Sequence, residues 1–142
     1  MYKRVLVPVD LDDLSVINKV FDLIKGSIFQ DEACYIRLIN VQPIVPMNIL
    51  GYLPPTFDEE VDLHVQINFE KLLPESNLPD HKITKIIRRG NVSDEVLAEA
   101  NDWKADMIII GSHRPSMSNY LLGSNAASIV RHAKCSVLVV RQ

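Results

Sequence analysis

The sequence predicts an α/β protein built on one parallel β-sheet, and three observations lead to this fold class. Short apolar runs rich in β-branched residues alternate along the chain with stretches of helical periodicity. The apolar runs are continuous, which is typical of strands buried on both faces. The chain has 142 residues, 47% apolar and 23% charged, as in one globular domain with its own core. We therefore predict a single domain over residues 1–142, with helices on both faces of the sheet.

The first strand is predicted over residues 5–9 (VLVPV), which are apolar throughout. Pro8 has no N–H to donate to a ladder and should mark the end of this strand. A helix should follow, because apolar residues recur every three or four positions through residues 14–28. Asp12 or Asp13 is expected to cap that helix, since carboxylates are favoured at its positive end.

The second strand is predicted over residues 33–41, and a proline-rich connection follows over residues 42–56. This connection also carries apolar residues, namely Ile44, Val45, Met47, Ile49, Leu50 and Leu53. An apolar segment of this length is usual in lids and partner surfaces. It could equally cover the sheet edge or the core.

Residues 57–73 satisfy both the strand period and the helix period. The length of this stretch and its acidic beginning, residues 58–60, favour a helix. Leu63 and Ile67 then lie outside the main apolar stripe and form a candidate second contact face.

Three further strands are predicted, over residues 82–89, 106–111 and 136–140. A helix follows the first of them, and Asn91 is its expected N-cap. Another helix is expected through residues 126–132, where His132 would place a favourable charge at the C-terminal end.

Composition argues against several classes of protein. The net charge is −3 and no dense Lys/Arg tract is present, so nucleic-acid binding is disfavoured. Cys34 and Cys135 each lie in an apolar run, which predicts buried thiols. The sequence shows neither a signal-peptide core nor an apolar run long enough for a membrane span. We expect a soluble, cytoplasmic protein with no membrane partner.

The chemistry should lie where the strand order reverses. With strand order 3-2-1-4-5, ligands are expected at the carboxyl ends of the first and fourth strands. That position brings Asp10 beside Gly111. After Gly111 come a polar run, then Gly123 and Ser124 at a helix start, a pattern that offers backbone N–H groups to an anion such as phosphate. The alternative is that both glycines serve the backbone alone.

Several segments together resemble the universal stress protein family. They are VLVPVD at residues 5–10, Gly90, IIGSH at 109–113, Gly123-Ser124 and CSVLVV at 135–140. The stretches SHRP and YLLGSNAA are similar to those of the bacterial F and G subgroup. The resemblance covers the whole chain. It implies a flavodoxin-like, adenine nucleotide alpha hydrolase-like fold, adenine-nucleotide binding and a homodimer.

The resemblance also implies a set of nucleotide-binding residues. They are Pro8, Val9, Asp10, Val41, Gly111, Ser112, His113, Arg114, Gly123, Ser124 and Asn125. Pro8, Val9 and Asp10 should border the adenosine, with Asp10 on a ribose hydroxyl, and the backbone of Val41 should meet the adenine edge. The phosphates should be surrounded by Gly111, His113, Arg114, Gly123, Ser124 and Asn125. Arg114 stands where the family pattern has its middle glycine, and only eight residues separate it from Gly123.

Three functions remain open from the sequence. The first is a regulatory stress-response dimer that binds ATP, or else AMP or ADP, with Mg²⁺ accompanying the nucleotide. The second is a slow ATPase or autophosphorylating enzyme, and the third is a ligand-free interaction module. No Walker lysine motif or metal cluster is recognised, so no catalytic or metal-binding residue is assigned. Asp10 could instead cap a helix, and His113 could be a solvated loop residue. The fifth strand is the expected dimer contact.

Overall fold

One parallel sheet carries the fold in the computed structural model, which describes residues 2–28, 33–112 and 122–141. Its strands are β1 (Arg4–Pro8), β2 (Tyr35–Gln42), β3 (Ile83–Arg89), β4 (Met107–Gly111) and β5 (Ser136–Val140). The order across the sheet is β3-β2-β1-β4-β5, and every pairing is parallel. The predicted fold class and strand order are therefore confirmed, and β5 lies at a sheet edge.

Helices lie between the strands. They are α1 (Ile17–Leu23), which continues as a π-helical stretch (Ile24–Ile28), α2 (Met47–Leu50), α3 (Phe57–Leu72), α4 (Val92–Trp103) and α5 (Ser124–His132). Short 3₁₀ turns span Leu73–Ser76 and Asp80–Lys82. No helix in the described ranges is long and apolar enough to cross a membrane.

Two apolar layers hold the helices to the sheet. On one face, side chains of β1 and β2 such as Val7 and Leu38 pack in one buried cluster with Phe21 of α1 and Phe69 of α3. On the other face, residues such as Ile108 pack in a second cluster with residues of α4 and α5. The continuous apolar strands are thus covered on both faces, because each strand contributes side chains to both layers.

A buried carboxylate fixes α4 to strands β2 and β3. Glu99 is only 4% exposed and accepts a hydrogen bond from Arg37 and another from Arg88, each at 2.7 Å. Burial by itself lowers the pKa of Arg88, but the bond to Glu99 and the charges of Glu95 and Glu99 outweigh it and raise that pKa above its ordinary value. Arg37 also stacks over the Trp103 ring, 4.4 Å from its centroid. Breaking this network would leave a buried charge without a partner.

The predicted cap of the first helix is wrong. The helix begins at Ile17, and its N-cap is Val16, which makes no side-chain capping bond. The carboxylate of Asp13 accepts from the Ser15 N–H at 3.1 Å, so it serves the turn that precedes the helix. Side-chain oxygens of aspartate stabilise turns in the same way as they stabilise helix starts, and here the turn prevails.

The ambiguous stretch forms a helix, as predicted. Helix α3 buries Val65, Phe69 and Leu72. Leu63 and Ile67 are exposed, 62% and 42%, so they lie outside the core as expected. In the connection after β2, Ile44, Met47 and Tyr52 are at least 70% exposed. These three side chains therefore do not cover the core, whereas Val45 and Leu53 of the same connection are partly buried.

The two cysteines differ in their surroundings. Cys34 is fully buried, as predicted, whereas Cys135 is only partly buried. Neither of them forms a disulfide in the described structure. Burial raises the pKa of the Cys135 thiol, so the protonated and less reactive form is favoured there.

Candidate functional site

A cavity of about 350 Å³ lies at the carboxyl ends of β1 and β4, where the strand order reverses. Asp10, Gly111 and Gly123 all line it, so the structure brings together the residues that the sequence predicted to meet. This volume is at the lower end of the usual range for small-molecule pockets, roughly 300–1,000 Å³. The position is the one that open α/β sheets use for ligands.

Nine of the predicted site residues line this cavity. They are Pro8, Val9, Asp10, Val41, Gly111, Ser112, Gly123, Ser124 and Asn125. The other two, His113 and Arg114, lie outside the described residues. Asp10 does not cap a helix, because α1 begins seven residues later. Its carboxylate accepts from the Asp12 N–H at 3.0 Å and holds the turn after β1.

Backbone hydrogen bonds bring α5 to the end of β4. The Ser112 N–H donates to the Val140 carbonyl at 3.0 Å, and the Ser112 carbonyl accepts from the Gly123 N–H at 3.1 Å. The N-cap of α5 is Gly123, which has no side chain to cap the helix, and the first turn carries no acidic residue. Its first N–H groups therefore have no side-chain acceptor within the described chain, and Ser124 and Asn125 line the cavity. Such a helix start binds anions.

The described structure does not require glycine at position 123. Its φ of −58° is one that any residue adopts. A Cβ added there would meet only the Ser112 carbonyl oxygen, at 3.8 Å. At Gly111 an added Cβ would lie 3.4 Å from Val16, an ordinary contact. Among the described residues, backbone geometry therefore does not account for Gly123.

Asn40 is the most informative site residue that the sequence analysis missed. It is 6% exposed, and its side-chain amide donates to the Val9 carbonyl at 3.0 Å. Its Oδ1 accepts from Gln42 Nε2 at 2.5 Å. The only sequence signal was an uncharged polar residue near the end of an otherwise mostly apolar strand.

The remaining lining residues are Asp13, which the sequence suggested as a helix cap, and a set of apolar residues that the sequence could assign only to the core. They are Asp13, Val16, Ile17, Val20, Ile39, Val92, Val96, Ile110, Ala126 and Ile129. A second hollow of about 380 Å³ adjoins the cavity and shares Asp10, Asn40 and Val41 with it. It continues along α3, past Glu60 and His64. Within the described ranges, no group of three or more His, Cys, Asp or Glu side chains could hold a metal ion.

Fold and cavity together define a doubly wound α/β protein with a ligand crevice at its topological switch point. The family model "Universal stress protein family" matches residues 1–141. Universal stress protein G of Escherichia coli O157:H7 is 32% identical over 146 residues, which cover 99% of this chain and 100% of that protein. This chain belongs to the universal stress protein family. Its role is accordingly in the stress response.

Solved structures agree with the fold. The universal stress protein UspA from Lactobacillus plantarum superimposes with a TM-score of 0.74 at 18% identity, covering 99% of this chain and 98% of that one. A universal stress protein solved in complex with cAMP superimposes with a TM-score of 0.65 at 19% identity. That match covers 98% of this chain and 96% of the other.

Proposed function

We propose that this chain binds an adenine nucleotide in the crevice between β1 and β4 and acts as a regulatory stress-response protein in the cytoplasm. ATP is the proposed ligand, with AMP or ADP as variants and Mg²⁺ carried by the nucleotide. The observation that carries the proposal is the start of α5. Its N–H groups have no side-chain cap in the described chain, and it opens on a cavity of sufficient size.

The two ends of the cavity suit the two ends of a nucleotide. Ser124 and Asn125, at the positive end of α5, would bind phosphate oxygens. Asp10, exposed at the mouth, would accept a hydrogen bond from a ribose hydroxyl. Val41 is near the end of β2, on the other side of β1 from β4, and would contact the base. The relative that was solved with cAMP supports the ligand class, because cAMP is itself an adenine nucleotide.

Native mass spectrometry of the purified protein tests the proposal. We expect either a mass increment that matches a retained adenine nucleotide or its appearance after ATP is added. A protein that stays bare at millimolar ATP would overturn the proposal. Phosphate release from bound ATP, measured in the same preparation, would show instead the slow ATPase.

Arg114 should contribute to phosphate binding if it faces the ligand. Arg114→Ala should then weaken ATP by about 1–3 kcal/mol and leave adenosine unchanged, because only ATP offers a charged oxygen to the guanidinium. Calorimetry with both ligands decides this point. If the substitution tightens ATP, Arg114 obstructs the phosphates.

A ligand-free interaction module is the second candidate, and one observation favours it. Met47 and Tyr52 are each 88% exposed, and Leu63 of α3 is 62% exposed. Several exposed apolar residues together are typical of surfaces that bind another protein. Under this function the protein would bind a partner equally well with and without ATP, which a pull-down at two nucleotide concentrations would show.

We also propose a homodimer through β5. This strand consists of SVLVV and lies at the sheet edge, and no strand of the described chain pairs with its outer row of N–H and C=O groups, which would accept an antiparallel partner strand. Sedimentation should show a dimer at micromolar concentration, and Val139→Asp should dissociate it. A native monomer that the substitution does not change would contradict this assembly.

A further inference from the structure

Successive residues of β2 direct their backbone N–H and C=O groups alternately toward β1 and β3, and this alternation shows which way the backbone groups of Val41 point. The Tyr35 N–H donates to the Lys3 carbonyl at 2.7 Å, and the Ile39 carbonyl accepts from the Val9 N–H at 2.8 Å. Odd-numbered residues of β2 therefore pair toward β1, as every second residue does in a parallel ladder. Val41 belongs to this set. In a ladder continued by one step, its N–H would donate to the Val9 carbonyl.

That step of the ladder is replaced by a side chain. Within the described chain, the donor to the Val9 carbonyl is Asn40 Nδ2, at 3.0 Å, and not the Val41 N–H. A carbonyl only accepts, so the amide nitrogen of Asn40 must face Val9. The oxygen of the same amide accepts from Gln42 Nε2. Both ends of this buried amide are therefore held, and its orientation is fixed.

We propose that Asn40 is a positioning residue that ends the β1–β2 ladder one step early and thereby frees the backbone of Val41 to select the base. Its amide satisfies the Val9 carbonyl, which would otherwise bond the Val41 N–H. Val41 then presents an N–H beside a C=O at the cavity wall. This inference rests on the proposed adenine-nucleotide function and explains how the site would select adenine over guanine.

The freed pair of backbone groups matches one kind of base edge. Adenine offers an acceptor, N1, beside a donor, the N6 amino group, so both of its groups meet a complementary group of Val41. Guanine offers O6 as an acceptor and N1–H as a donor, which reverses the order along the edge. A mismatched edge leaves buried polar groups unpaired, and this loss is what gives a hydrogen-bonding site its selectivity.

Hydrogen exchange of the Val41 amide in the native protein tests the positioning role. Without ligand, the Val41 N–H should exchange at least about tenfold faster than the Ile39 N–H, which the ladder protects. Adenosine should slow Val41 by at least tenfold. A Val41 amide that is as protected as Ile39 before any ligand is added would overturn the role of Asn40.

The substitution Asn40→Leu, which keeps the approximate size but removes the donor, gives the second measurement. Val41 should become protected without ligand, and the preference for ATP over GTP should fall by at least tenfold. Asn101→Leu, the same chemical change on α4 away from the cavity, is the matched control and should alter neither quantity. A merely structural loss would weaken ATP and GTP alike and overturn the inference.

The outcomes also separate this inference from the proposed function. If calorimetry shows that ATP binds while Val41 exchange stays fast, the base-reading role is wrong and the proposed function stands. If neither ATP nor adenosine binds the native protein, the proposed function is wrong and its selectivity falls with it.

Discussion

Two strand-to-helix turns of this protein have the same topology, but the helix is capped by side chains in one turn and not in the other. In the turn from β3 to α4, the Gly90 N–H donates to the Gln42 carbonyl at 2.9 Å, and the Asn91 side chain accepts from the Asp94 N–H at 3.2 Å. Two acidic residues, Asp94 and Glu95, follow in the first turn of α4. In the turn from β4, α5 begins at an N-cap glycine with neither a side-chain cap nor an acidic residue in its first turn.

The glycines of the two turns differ in the same way. Gly90 has a φ of +142°, a conformation that favours glycine, and an added Cβ would lie 3.0 Å from Glu95 Cγ. Gly123 has an ordinary φ, and among the described residues an added Cβ would meet only the Ser112 carbonyl oxygen, at 3.8 Å. In the first turn, the N-terminus of α4 is therefore satisfied by groups of the protein itself. In the second, the positive N-terminus of α5 faces the cavity without a side-chain cap, and a bound anion would accept from its N–H groups.

The largest effect is expected from Gly123→Val. The branched side chain should block phosphate from the N–H groups of α5, each worth about 1.5–3 kcal/mol to a charged acceptor. ATP affinity should fall by at least about 100-fold, while the free energy of unfolding changes by less than about 1 kcal/mol. Calorimetry and denaturant unfolding measure the two quantities, and unchanged ATP affinity would exclude phosphates from this helix start.

Gly90→Ala should have the opposite profile. A side chain at this φ costs about 1–3 kcal/mol of stability, and the turn does not line the cavity. The free energy of unfolding should fall by that amount while the folded protein keeps its ATP affinity. A stable variant with impaired ATP binding would contradict the contrast between the turns.

Asn91→Ala should remove the cap of α4 and lower the free energy of unfolding by about 1 kcal/mol. ATP affinity should not change, because Asn91 does not line the cavity. Urea unfolding with and without ATP checks both statements. Ser93 also bonds Asn91, at 2.9 Å, so Ser93→Ala serves as a milder comparison with the same sign.

The smallest effect is expected from Ser124→Asp, and its two parts have opposite signs. A carboxylate at the start of α5 should stabilise the ligand-free protein by about 0.3–1 kcal/mol through the helix dipole. The same charge should weaken ATP by about two- to fivefold, because it competes with phosphate for the same N–H groups. If stability and ATP affinity rise together, the positive end of α5 is not where phosphate binds.

The sequence predicted the sheet well because each strand is a distinct apolar run. Continuous apolar runs such as residues 107–110, three of which are β-branched, can be recognised without tertiary information, and their order puts Asp10 and Gly111 at one crevice, as observed. The start of α1 was harder to predict. The carboxylates of Asp10 and Asp13 suit a turn and a helix cap equally well, and only the folded chain decides between them.

Half of the site could not be predicted from single residues. Asn40 acts through a side-chain bond to the Val9 carbonyl, a contact between residues 31 apart in sequence that no local pattern reveals. Val16 and Ile129 line the cavity but are indistinguishable in sequence from core residues, because both environments favour the same apolar side chains. Cys135 similarly looks buried in sequence but is only partly so.

A pair of calorimetric titrations of the native protein, with ATP and then with adenosine, tests the central claim most directly. The open start of α5 should add binding energy only for the ligand that carries phosphates. We predict that ATP binds at least about tenfold more tightly than adenosine, a difference of about 1.4 kcal/mol, and that the difference shrinks as salt is added. Equal affinities for the two ligands would contradict the claim that this helix start is left open for phosphate.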